Sequence, residues 1–149
     1  MYRPYSSGMH YCDGQNERDR VDMGFAEAVR VVFSKYAIFS GRARRSEYWW
    51  WALFTFIVSF VCAMIDAALG TDFDDGNGSG LIQAIASLAL FLPGLAVAIR
   101  RLHDTGRVGW WILLALIPFI GWLVLLVFFV LDSESGDNKY GPNPKQAVA

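Results

Sequence analysis

The sequence predicts an all-α, polytopic membrane protein in which three transmembrane helices follow an amphipathic interfacial helix. Apolar residues make up 54% of the chain, and they gather in long blocks instead of alternating with polar ones. Three such blocks, residues 48–69, 81–99 and 110–131, are each long enough to span. At about 1.5 Å of rise per residue they reach roughly 27–33 Å, which matches a hydrocarbon core of about 30 Å. Basic residues, finally, fall in some connections and are missing from others.

The 149 residues leave room for one domain. The expected division is an extension over residues 1–22, a membrane domain over 23–144 and a short disordered tail over 145–149. Residues 1–22 are polar, mixed in charge and without periodicity, so disorder is expected there. They hold no secretory signal, and Met23, just before the first periodic segment, reads as an alternative start. Cys12 in this extension and Cys62 inside an apolar block belong to different solvents, so no disulfide is expected between them.

Residues 25–39 carry Glu27, Arg30 and Ser34 on one helical face and Phe25, Ala28, Val29, Val32, Phe33 and Tyr36 on the other. Beside a membrane, such a helix is expected to lie in the interface with its apolar face down. The first block has no charged group before Asp66. The second is rich in small residues, with Gly94 and Ala98 at the spacing of a close helix contact, and Pro93 is expected to kink it. It is expected to be the most buried span. The third holds Pro118 and Gly121 near its middle; one kinked crossing is the expected form, and a re-entrant hairpin the alternative.

Charge sets the orientation, because Lys and Arg resist translocation. Arg30, Lys35, Arg42, Arg44 and Arg45 precede the first block, and Arg100, Arg101 and Arg107 link the second to the third. The loop between the first two blocks has no cation and carries Asp72, Asp74 and Asp75, whose spacing fails the EF-hand pattern. The reading is a cytoplasmic N-terminus, first loop outside, second loop inside and C-terminus outside.

Two runs carry the candidate site. In Arg42-Ala43-Arg44-Arg45-Ser46-Glu47-Tyr48-Trp49-Trp50-Trp51, guanidinium groups adjoin a cluster of aromatic rings. Arginines reach lipid phosphates while Trp and Tyr sit at headgroup depth, so Tyr48, Trp49 and Trp50, with Trp110 and Trp111 of the second run, are expected as interface anchors. In Arg100-Arg101-Leu102-His103-Asp104-Thr105-Gly106-Arg107, followed by Trp110 and Trp111, the second run faces the same leaflet. Arg42, Arg44, Arg45, Arg100, Arg101, His103 and Arg107 are thus candidate phosphate or lipid ligands. Glu47 is expected to pair with Arg44, and Asp104 or Thr105 to cap the third helix. Asp66 and Gln83 sit at similar depth and form an expected polar pair between the first two spans. No metal is expected, since His103 is joined only by a distant His10, and no cofactor, nucleic acid or catalytic set is called for.

The run from Phe39 to Trp49 resembles the opening signature of the domain-of-unknown-function 805 family of small bacterial inner-membrane proteins. The run Arg100-Arg101-Leu102-His103-Asp104-Thr105-Gly106-Arg107 with Trp110-Trp111 resembles its second signature. Ile117-Pro118-Phe119-Ile120-Gly121-Trp122, and the tail with Asn138, Tyr140, Gly141, Pro142 and Pro144, resemble two more. The resemblance implies a helical fold in the bacterial cytoplasmic membrane and no particular reaction. The functional expectation is a non-enzymatic membrane protein whose cytoplasmic Arg/Trp collar engages anionic lipid or a protein partner. An oligomeric solute or ion conduit, or an enzyme acting on a phosphorylated lipid, are the alternatives.

Overall fold

The computed structural model describes residues 23–71 and 80–145. The expected extension over residues 1–22 (with His10 and Cys12), the acidic loop residues Asp72, Asp74 and Asp75, and residues 146–149 of the tail lie outside them. The described residues are helical: α1 Phe25–Ser34, α2 Arg45–Leu69, α3 Leu81–Asp104, a 3-10 helix Gly109–Leu116 and α4 Ile120–Val130.

Two helices, α2 and α3, are long and apolar enough to cross a membrane. In their most apolar windows only 6% and 22% of residues are buried, whereas the core helix of a soluble protein hides its apolar surface. As expected, the small-residue helix α3 is the more covered of the two. Trp51 of α2 packs beside Gly94, where an added Cβ would lie 3.4 Å from the indole nitrogen. Val32, Ala43, Trp51 and Val97 form one buried cluster around this contact.

Polar contacts pin the α2–α3 pair at both ends. At one end Ala43 donates its N–H to the Arg100 carbonyl at 3.1 Å, and Arg100 meets Glu47 at 2.6 Å. At the other, the Asp66 carboxylate accepts the N–H groups of Ile82 at 3.0 Å and Gln83 at 2.8 Å. Helical rise from Glu47 to Asp66 separates these two ends by about 28 Å, close to one hydrocarbon thickness.

Helix α1 is shorter than the expected 25–39 and rests its apolar face on α2. Ala28 and Val32 are buried, and Phe33 stacks edge-on against Trp51 and Phe54. The apolar stripe therefore serves a helix–helix contact, not only a lipid one. The helix stops at Ser34, and Tyr36 turns to α3, where its hydroxyl donates to the Ala89 carbonyl at 2.5 Å. That carbonyl is the one Pro93 leaves without a donor, because it lies four residues before a residue with no N–H. Tyr36→Phe is expected to cost about 1–2 kcal/mol by leaving this carbonyl unpaired in apolar surroundings. A lower unfolding temperature in detergent, with faster proteolysis on the α1 side, is the expected readout.

The third apolar block corrects the expectation of a single kinked crossing over residues 110–131. It folds back on itself as a hairpin. The Ile120 N–H donates to the Pro118 carbonyl at 2.8 Å, and Phe119 between them has φ 64° and ψ −68°, the geometry of a tight γ-turn. Gly121 then passes so near the other limb that a Cβ would fall 1.8 Å from the Leu114 carbonyl oxygen. Trp122 closes the turn by donating its indole N–H to Ala115 O at 2.8 Å. Eight residues of 3-10 helix and eleven of α-helix both reach about 16 Å, so the limbs match in length at roughly half a hydrocarbon core. The chain after Val130 consequently returns to the end of the molecule that carries Arg42 and Asp104.

Candidate functional site

That end is assembled from the link before α2, the first turn of α2, the last turn of α3 and the segment after α4. Gly41 makes the turn into α2 possible, with φ +89° in the left-handed region. Helix α3 continues to Asp104, five residues past the expected boundary, because its terminal charged side chains find partners inside the fold.

Asp104 is the hub. Its side chain is fully buried, and Oδ1 accepts from Arg42 Nε at 2.9 Å. Oδ2 accepts from Arg101 and from the Ser133 hydroxyl, the latter at 2.6 Å. The Asp104 carbonyl takes the Glu134 N–H at 3.0 Å. Arg42 reaches on to the tail, donating to Glu134 O at 2.8 Å and Gly136 O at 2.7 Å. Arg44 donates to Pro144 O at 2.7 Å.

Arg101 donates to the carbonyls of Phe129 and Leu131, and Arg45 to that of Val130 at 3.3 Å. These are carbonyls at the C-terminal end of α4, which lack helical donors and carry the negative end of the dipole. Two arginines therefore cap α4 and hold the returning limb in place. Asp104 supplies the countercharge and, correcting the expected role, caps no helix: the 3-10 segment has no side-chain cap. Glu47 pairs with Arg100 rather than with Arg44.

His103 stacks flat on Tyr140, with ring centroids 3.8 Å apart and 5° between planes. Its Nδ1 lies 3.3 Å from Gly41 O, and Asn138 donates to its carbonyl at 3.0 Å. The guanidinium of Arg107 sits 3.9 Å over the Phe128 ring.

The candidate residues thus separate into two groups. Arg42, Arg44, Arg100, Arg101 and His103 are buried and engaged with the chain itself. Arg45 keeps 44% of its side chain exposed beside Asp132, and Arg107 is half-buried. Lys145 and the Ser133 N–H hold the exposed Asp132 carboxyl below its usual range. Of the expected anchors, Trp49, Trp50, Trp110 and Trp111 are exposed, while Tyr48 turns inward against Phe129 at 4.3 Å.

At the opposite end Asp66 and Gln83 do meet, but through the Gln83 backbone. Thr71 donates to the same carboxylate at 2.5 Å, so Asp66 serves as the N-terminal cap of α3. The Gln83 side-chain oxygen is buried with no partner among the described residues. The roles of Ser133, Tyr140 and the tail carbonyls had no signal in their spacing. Tyr36 had one: the carbonyl that Pro93 frees needs a donor.

An exposed apolar belt between two polar ends, with a sealed charge cluster at one of them, defines an all-helical membrane protein. The chain belongs to the family described as Protein of unknown function (DUF805), whose profile matches residues 36–142. That stretch contains Arg42, Glu47, Arg101 and Asp104 together with most of the tail that covers them. Inner membrane protein YhaI of Escherichia coli (strain K12) is 50% identical over 114 residues, 76% of this chain and 92% of the relative. Inner membrane protein YhaH of the same strain is 46% identical over 114 residues, 76% of this chain and 93% of the relative. No solved structure matches the chain. The chain accordingly stands among proteins of the bacterial inner membrane.

Proposed function

We propose that this protein is a non-enzymatic, multi-pass protein of the inner membrane whose cytoplasmic rim engages anionic lipid. Two crossing helices and a half-depth hairpin carry the rim, with both the link before α2 and the tail on the cytoplasmic side. One observation carries the reading. Among the described residues, this end holds ten cationic side chains against six carboxylates, and four exposed Trp rings border it. A surplus of positive charge beside Trp at headgroup depth attracts phosphate-bearing anionic lipids, at about 1 kcal/mol per basic residue near the surface.

The contact falls to the groups left outside, Arg45 and Arg107, because the buried arginines are committed to Asp104, Glu47 and the tail. This division sharpens the expected collar. Native mass spectrometry from mild detergent should show phosphatidylglycerol retained over phosphatidylcholine. An R45Q/R107Q double variant should lose that preference roughly tenfold, with a modest fall in unfolding temperature because Arg45 also reaches the Val130 carbonyl and Arg107 the Phe128 ring. Equal retention of both lipids by the unaltered protein would sink the proposal.

Orientation is tested separately. Green fluorescent protein fused after Ala149 is expected to fluoresce in cells, and alkaline phosphatase at the same place to stay inactive. The reverse pattern would put the tail outside, as a third complete crossing requires.

A further inference from the structure

A cleft of about 340 Å³ opens between the end of α3 and the 3-10 helix, lined mainly by Ile99, Val108, Gly109, Trp110 and Leu113. This lies within the range of small-ligand sites. His103 is its polar group, 9% exposed. The Tyr140 stack fixes the ring plane, and Nδ1 faces the Gly41 carbonyl at 3.3 Å. A carbonyl only accepts, so that nitrogen carries the proton and the neutral ring presents a lone pair at Nε2. Nε2 has no hydrogen-bond partner among the described residues. The absent side chain of Gly109 leaves it uncovered, since a Cβ there would lie 3.4 Å away.

We infer that this cleft binds a neutral amphiphile with a free hydroxyl, the hydroxyl donating to His103 Nε2 and the apolar body lying along Ile99, Trp110 and Leu113. The charges around the site select this class. A phosphate group ionised at neutral pH offers no proton to this lone pair, so an anionic headgroup gains from Nε2 only through a hydroxyl of its own. An ammonium meets repulsion from Lys139, whose Nζ lies 5.0 Å over the Tyr140 ring that backs His103. An uncharged donor escapes that repulsion, and the apolar walls suit a hydrocarbon body. The inference is independent of the anionic-lipid rim: either can fail alone.

The test uses full-length protein in phosphatidylcholine nanodiscs, whose headgroups have no hydrogen-bond donor, with 15N-labelled histidine. His10→Ala leaves one histidine signal. The expected spectrum shows the Nδ1–H tautomer. Adding dioctanoylglycerol should move the Nε2 resonance and quench Trp fluorescence, and its methyl ether should do either only at tenfold or higher concentration. His103→Phe, which keeps a flat ring on Tyr140, should bind the two probes alike. Should that variant not fold, Gly109→Ala, whose methyl would stand 3.4 Å from Nε2 and displace Ile99 Cγ2 from 2.9 Å, should weaken dioctanoylglycerol at least tenfold and its ether less. A proton on Nε2, equal binding of the two probes by the unaltered protein, or an unchanged preference in these variants would overturn the inference.

Discussion

Asp104→Asn is expected to destabilise the protein by about 3–5 kcal/mol, because it leaves the buried guanidinium groups of Arg42 and Arg101 without their countercharge. The loss should be structural and directional. Arg101 is oriented by Asp104 while it caps α4, and Arg42 is oriented by Asp104 while it holds the tail. Releasing both should free the segment around Ser133 and Glu134 from the end of α3. A cysteine placed at Glu134 should react with a polar maleimide markedly faster in the variant. Chemical unfolding in a mild detergent should show the stability change. Replacing Glu134 itself removes the side-chain bond from Asn138 but not the Arg42 contact to its carbonyl, so the comparison is made between Glu134→Cys proteins with and without the Asp104 change. A full-strength transition for Asp104→Asn would mean that the buried centre contributes nothing.

Gly121→Ala should have a comparable effect by another route. The new methyl would stand 1.8 Å from the Leu114 carbonyl oxygen, and a backbone atom cannot swing aside as a flexible side chain can. Either the limbs separate, at a cost of several kcal/mol in lost packing, or the tip is rebuilt. Opening the limbs also removes the Trp122 bond to Ala115 and exposes backbone groups that lipid cannot satisfy. Expression in the membrane should fall sharply, and the surviving protein should unfold at lower temperature. Gly136→Ala is the control: its Cβ meets open space, although its φ of +83° adds modest backbone strain. Equal stability of the Gly121 variant and the parent would show that the limbs do not approach as described.

Together these variants separate the two devices that hold the hairpin, charge at its base and close contact at its tip. Phe119 illustrates the strain involved. A bulky residue at φ 64° persists only where its surroundings fix it, and here a turn of three residues reverses the chain between two helices.

The residue pattern of the third block was consistent with two forms. Its length fitted one crossing, while Pro118 and Gly121 fitted a turn. Length favoured the crossing and was misleading, because a hairpin of two half-depth limbs has the same number of apolar residues. The deciding contacts come from 30 and 85 residues away in the chain: Arg101 and Arg45 bind the carbonyls at the far end of the block, drawing it back. The arginine runs were legible as a cluster but not as a buried one. Nothing in the order of Arg42, Arg44 and Arg45 tells which points inward; the structure buries the first two and exposes the third.

Composition and block length alone determined that apolar helices dominate this chain and that its basic residues share one end. Both are properties of a segment's average chemistry, which needs no partner to be defined. Only the tertiary structure decided that the last block turns back, that Asp104 gathers two arginines and that His103 faces a cleft. Each depends on which distant carbonyl or carboxylate answers a given donor, and a buried donor takes its partner from space rather than from sequence.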